Sequence, residues 1–205
     1  MGMTSAPGLA PGPDETSADH SDGRRRRGQD NRARIVRAMM EIVHSGEVAP
    51  SAEQVASRAE VGLRTVFRHF QDMDSLYREI SAVISKEVRG DFLGPLAAQD
   101  WQGRVLEMAG RRIRAYEKMA PFKRAGDAFR HRSKFLGTDY NILVVELRER
   151  LEAELPATVR RDRDTLEALD LALSFETWSR LRREQGLTPK RTQAVVEALI
   201  RRLLA

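Results

Sequence analysis

Cysteine is absent from the 205 residues, which excludes disulfides, thiolate nucleophiles and cysteine-ligated zinc. Histidine is sparse: four scattered residues offer little to any other metal. No stretch approaches the roughly 18 apolar residues that span a bilayer, and the N-terminus has no apolar signal core, so a cytoplasmic chain is the expectation. Also missing are a Gly-rich phosphate loop, a nucleophile beside an oriented base, and the His/carboxylate spacing of metal ligands. An enzyme is therefore the competing class with least to build on, and no cofactor is expected. Asp127 and His131 come nearest, and at i, i+4 they read equally well as a surface helix pair.

What the chain does have is charge and helical rhythm. Charged residues make up 32% and the formal net charge is +5, with a pI near 9.9, which favours an anionic partner. Its length suits one large domain or two small ones. Residues 1–23 are rich in Pro, Gly, Ser, Ala and Asp without a run of large apolar residues, so they are expected to stay disordered. From about Asn31 onward, apolar residues recur at helical spacing, with breaks at Gly46, Gly62, Gly94/Pro95, Pro121, Gly137, Pro156 and Gly186. The pattern predicts an all-α fold.

A first helix over 32–45 places Ile35, Met39, Ile42 and Val43 on one face, and Gly46 stops it. Ser51 with Gln54 three residues on makes a capping box for a second helix carrying Ala52, Val55, Ala56 and Ala59. After only Glu60, Val61 and Gly62 the rhythm resumes at Leu63, Val66, Phe67 and Phe70, and Asp72 caps a longer fourth helix. Two short helices, a tight Gly-containing turn and a supporting helix before them describe a helix-turn-helix. In that motif the second short helix enters the major groove. With Leu63, Val66 and Phe70 turned inward, Arg64, Thr65, Arg68 and His69 face out, and Arg64 is the first base-reading candidate because Arg can donate two hydrogen bonds to guanine. Upstream, "GRRRRGQDNRAR" holds Arg24, Arg25, Arg26 and Arg27, a flexible basic arm suited to phosphates or the minor groove. Each of these residues taken singly is equally a solvated charge; their arrangement carries the reading.

The segments "RIVRAMMEIVHSG", "SAEQVASRAEVGLRTVFRHF" and "DSLYREI" together resemble the N-terminal domain of the TetR family of transcriptional regulators, over roughly residues 32–80. The resemblance implies an all-helical homodimer of about nine helices per chain, holding a palindromic double-stranded operator. It places a basic arm and DNA-binding domain over 24–80 and an effector-binding and dimerisation domain over 81–205. It also implies a repressor released by a small molecule. Carried over by position, Ser51 touches phosphate, Arg64 and Thr65 face bases, and Phe67 and His69 lie against the operator backbone. Four positions depart from the family pattern: Glu60 stands where Gly is common, Gly62 for Ser or Thr, Phe67 for Tyr, and Met73 for Lys. Phosphate affinity then leans more on Arg58, Arg68 and the arm.

Further helices are expected over 100–119, from Pro121, over 138–154, as one long helix over 162–185, and from Pro189 with Thr188 as cap. Trp101, Met108, Tyr116, Phe122, Phe129 and Tyr140 are candidates to line an effector cavity, with ordinary core packing as the alternative for each. Basic residues crowd 111–134, which reads as a solvated face more readily than as an anion site. Apolar residues occupy more than one face of the penultimate helix, so Phe175 and Trp178, with Val196, Leu199 and Leu203 of the last, are expected at a dimer interface. The alternative function is a ligand-independent DNA-binding dimer whose C-terminal part serves dimerisation or a protein partner; it would lack an internal cavity.

Overall fold

The computed structural model describes residues 16–129 and 136–205, with side chains over 28–129 and 140–205. Residues 1–15, His131 with its basic neighbours, and the side chains of Arg24–Arg27 lie outside the described residues. Within them the chain is helical throughout, without strands, as the periodicity predicts.

Helix α1 spans Thr16–His44. It starts inside the segment expected to lack order, and the backbone of Arg24–Arg27 is helical within it. Arginine is a good helix former, and the run of four extends the helix without a breaker. Helix α2 (Ala52–Arg58) opens on the Ser51 capping box, with Ser51 Oγ accepting from Gln54 N at 3.2 Å and Gln54 Oε1 accepting from Ser51 N at 2.7 Å. Helix α3 (Leu63–His69) starts at Gly62, which has no side chain to cap it. Helix α4 (Met73–Leu93) is capped by Asp72, whose Oδ1 accepts from Ser75 N at 2.8 Å.

Helix α5 runs unbroken from Trp101 to Phe129 with Pro121 inside it, where two helices were expected. A proline removes one backbone donor, here the partner of a single carbonyl one turn back. Buried Met119 and Ala120 before it and Ala125 after it anchor both sides of that gap. Then come α6 (Leu136–Glu154), α7 (Ala157–Arg161), α8 (Arg163–Ala172), α9 (Phe175–Ser179) with a π-helical turn at Arg180–Glu184, and α10 (Pro189–Leu203), capped by Thr188. The long helix expected over 162–185 is broken at Ser174. Its hydroxyl accepts from Thr177 N at 3.1 Å while Thr177 Oγ1 donates to the Leu171 carbonyl at 2.6 Å, so one end is closed and the next opened within four residues.

Two hydrophobic clusters organise these elements. In the N-terminal one, Ile35, Met39, Val43, Val55, Val66, Phe70, Leu76 and Ala125 unite α1–α4 with the end of α5. The larger C-terminal one centres on Met108, Tyr116, Leu151, Leu166, Leu169, Trp178 and Ile200. The break at Ser174 folds α9 back into this second core. Phe175 and Trp178 consequently pack on Tyr116, with ring centroids at 5.5 and 6.1 Å, and Trp178 Nε1 donates to Glu117 Oε1 at 2.9 Å. Phe175, Trp178 and Val196 are all buried within the single chain. Leu199 stays 41% exposed, Leu203 is half-buried, and Leu171 is 64% exposed.

Candidate nucleic-acid interface

Val55, Ala56 and Ala59 of the first short helix and Val66 and Phe70 of the second bury against α1 and α4, which fixes what is left outside. Arg64, Phe67 and Arg68, at i, i+3, i+4, share the outward face of α3, and Phe67 is 47% exposed. Thr65 and His69 flank that face half-buried, and Ser51 is exposed at the start of α2. Leu63, expected in the apolar seam, is instead 38% exposed at the first turn.

Arginines of α1 hold this unit together, a role the spacing alone does not reveal. Arg32 donates through Nη1 to the His69 carbonyl at 2.9 Å, pairs through Nη2 with Glu79 at 2.9 Å, and lies 4.4 Å above the Phe70 ring. It thereby ties the C-terminal end of α3 to α4. Arg34 Nη2 donates to the Ala59 carbonyl at 2.6 Å and reaches the Glu60 carbonyl at 3.2 Å, holding the turn. Arg58 is drawn towards Glu41 at 3.4 Å. His69 has a buried Nε2 without a partner, and desolvation, then the charges of Arg68 and Arg32, hold its pKa below the usual imidazole range. It is neutral at pH 7, able to hydrogen bond but adding no cation.

The turn stores strain. Glu60 has φ 53°, a left-handed conformation that costs an L-residue with a Cβ about 1–2 kcal/mol and a glycine little. Replacing Glu60 with Gly is expected to stabilise the protein by about 0.5–1 kcal/mol, net of the added freedom of the unfolded chain. The exposed Arg34–Glu60 side-chain contact at 3.3 Å offsets little of that. Urea melts of the two proteins check it; an unchanged or lower midpoint counts against strain at this turn.

The same fold is found in a known regulator. The crystal structure of a transcriptional regulator from Rhodococcus sp. Rha1 superposes with a TM-score of 0.66, covering 84% of this chain and 95% of that one at 16% sequence identity. No protein-family model and no curated protein matches the sequence. At that identity the likeness is one of fold.

Besides a polar, open cleft of about 450 Å³ between α4, α5 and α10, two cavities with aromatic residues in their walls lie in the C-terminal half among the described residues. One of about 200 Å³ sits between α4, α5 and α6, lined by Ile80, Ile84, Val88, Phe92, Phe122 and Tyr140. The other, of about 300 Å³, lies between α5, α6, α8 and α9, where Arg112, Tyr116, Tyr140 and Phe175 contribute. Of the residues expected at an effector site, the structure brings Tyr116, Phe122 and Tyr140 to these cavities. It does not bring Met108, which is buried in the core, or Trp101, which packs against it. Phe129 stacks on Tyr77 at 4.4 Å in the N-terminal half. The contribution of α4 was missed, although its rhythm at Ile80, Ile84 and Val88 marks a stripe long enough to serve both halves. Among the described residues no helix is long and apolar enough to cross a membrane, and no group of acidic or histidine side chains is placed to hold a metal ion.

Proposed function

We propose that the protein is a transcriptional regulator of the TetR type, a homodimer that binds a roughly palindromic duplex through α3 and is released by a small molecule held in its C-terminal half. The observation that carries this is the division of labour among the arginines. Arg32 and Arg34 are spent on fixing α3 and its turn, while Arg64 and Arg68 stand exposed on its outer face with Phe67 between them. A helix held rigidly from behind with donors in front suits base readout. The basic N-terminal part of α1 adds sequence-independent attraction to phosphate. The cavities favour an effector over the ligand-independent alternative. Phe122, at the first cavity, lies 6.1 Å from His44 at the end of α1, and α4 runs from the cavity wall to the α3 support, so a ligand has a path to the DNA-binding half. A tenfold loss of DNA affinity needs about 1.4 kcal/mol of coupling.

Selecting bound duplexes from a random pool, then measuring affinity by anisotropy, tests the reading. Arg64→Ala is expected to cost about 1–3 kcal/mol on the selected site and to relax preference at one base position. Alanines at Arg24–Arg27 are expected to weaken all duplexes alike and flatten the salt dependence. Equal loss on selected and random DNA for Arg64→Ala rejects its base-reading role.

A further inference from the structure

The cavity between α5, α6, α8 and α9 has a buried arginine in its wall. Arg112 is 3% exposed, its Nη2 donates to the Leu147 carbonyl at 2.5 Å, and its Nε is buried without a partner. Tyr116 donates its hydroxyl proton to the Leu173 carbonyl at 2.8 Å and its oxygen is within hydrogen-bonding reach of the guanidinium, which still leaves Nε unfilled. A guanidinium carries five donors and no acceptor, so a buried one with an unfilled Nε calls for an oxygen or nitrogen acceptor. Around it Leu143, Leu147, Tyr140 and Phe175 present apolar surface.

The charges at the cavity decide what kind of acceptor fits. Glu167, Asp170 and Glu176 line it together with Arg112, and Lys123 lies 4.0 Å from the Tyr140 ring and 5.5 Å from the Phe175 ring. Arg148 holds Glu167 at 2.7 Å and Asp170 at 3.2 Å, while Glu176 accepts from the Tyr140 hydroxyl at 3.2 Å. An anionic ligand entering here meets carboxylates, and a cationic one meets Arg112. At about 300 Å³ the space reaches the lower end of small-molecule sites.

We propose that this cavity takes a neutral, flat, largely apolar molecule whose carbonyl oxygen accepts from Arg112. The assignment rests on the effector reading above and names the chemical class of that effector. The probes are 2-naphthamide and 2-naphthoate, nearly the same shape and differing in charge, titrated by equilibrium dialysis against the full chain without DNA. The amide is expected to bind at least tenfold more tightly than the carboxylate, and Arg112→Met to weaken the amide about tenfold. Because Arg112→Met removes a buried side chain from the core, Val144→Trp gives a second arm that does not depend on it: Val144 lines the cavity and is 42% exposed, so the indole blocks entry from outside the core. Loss of amide binding with an unchanged melting temperature supports the site. Binding of the carboxylate as tight as the amide, no binding of either, or amide binding untouched by Val144→Trp overturns the proposal. If the amide binds in the expected pattern yet leaves the protein–duplex complex intact, the ligand class stands and the regulatory reading falls.

Discussion

Glutamate at both Leu199 and Leu203 is expected to give monomers in sedimentation and to lower affinity for a palindromic duplex by about 10²–10⁴-fold, with affinity for a single half-site unchanged. Helix α10 has two apolar stripes. Thr192, Val196 and Ile200 are buried within the chain, whereas Leu199 is 41% exposed and Leu203 half-buried, with no part of the same chain covering them fully. In a twofold dimer each substitution occurs in both copies, so four carboxylates would have to lose water without partners. Joining two DNA-binding units makes the second contact intramolecular, and separating them removes that gain. An unaltered dimer would place the interface elsewhere, with exposed Ile142 and Val145 of α6 or Leu171 of α8 as the next surfaces to substitute.

Phe70→Ala is expected to cost about 3–5 kcal/mol in a urea melt and to free the amides of α3 to hydrogen exchange. Helix α3 has seven residues, well short of the roughly 12–15 at which an isolated helix becomes marginal, so its order comes from packing. Phe70 is 2% exposed at its C-terminal end, under the guanidinium of Arg32, and removing the ring leaves a cavity and takes the surface from that cation. A loss under about 1 kcal/mol would mean that Val66 and the Arg32–His69 hydrogen bond suffice. Phe67→Ala makes the contrast: its ring is 47% exposed, so stability should hardly change while duplex affinity falls.

Where the sequence carried a local signal with a definite partner, the structure was legible in it. Ser51 with Gln54, Asp72, and Thr188 before Pro189 each satisfy amides within three residues, and each marks a helix start where it was expected. Pro121 misled because its local meaning, a helix start, yields to burial on both sides of it. The break at Ser174 had its own signal, a serine with threonine three residues on, hidden inside an apolar run that reads as one helix. The outward places of Arg64 and Arg68 on α3 followed from periodicity, whereas Leu63, which the same rhythm turns inward, stands exposed at the first turn. The places of Arg32, Arg34 and Arg112 did not follow from it, because an arginine that braces a turn or lies beneath a cavity has the same spacing as one in water, and only long-range placement tells them apart.

The length of α5 bears on how the chain comes apart. Its first five turns belong to the C-terminal core, while Phe122, Ala125 and Phe129 near its other end pack in the N-terminal cluster. A fragment ending at residue 80 would lose that covering and expose Tyr77 and Ile80 to water, so proteolysis should not release a durable DNA-binding piece. Heating should show both halves melting in a single cooperative transition, since neither can lose its order without opening the helix they share.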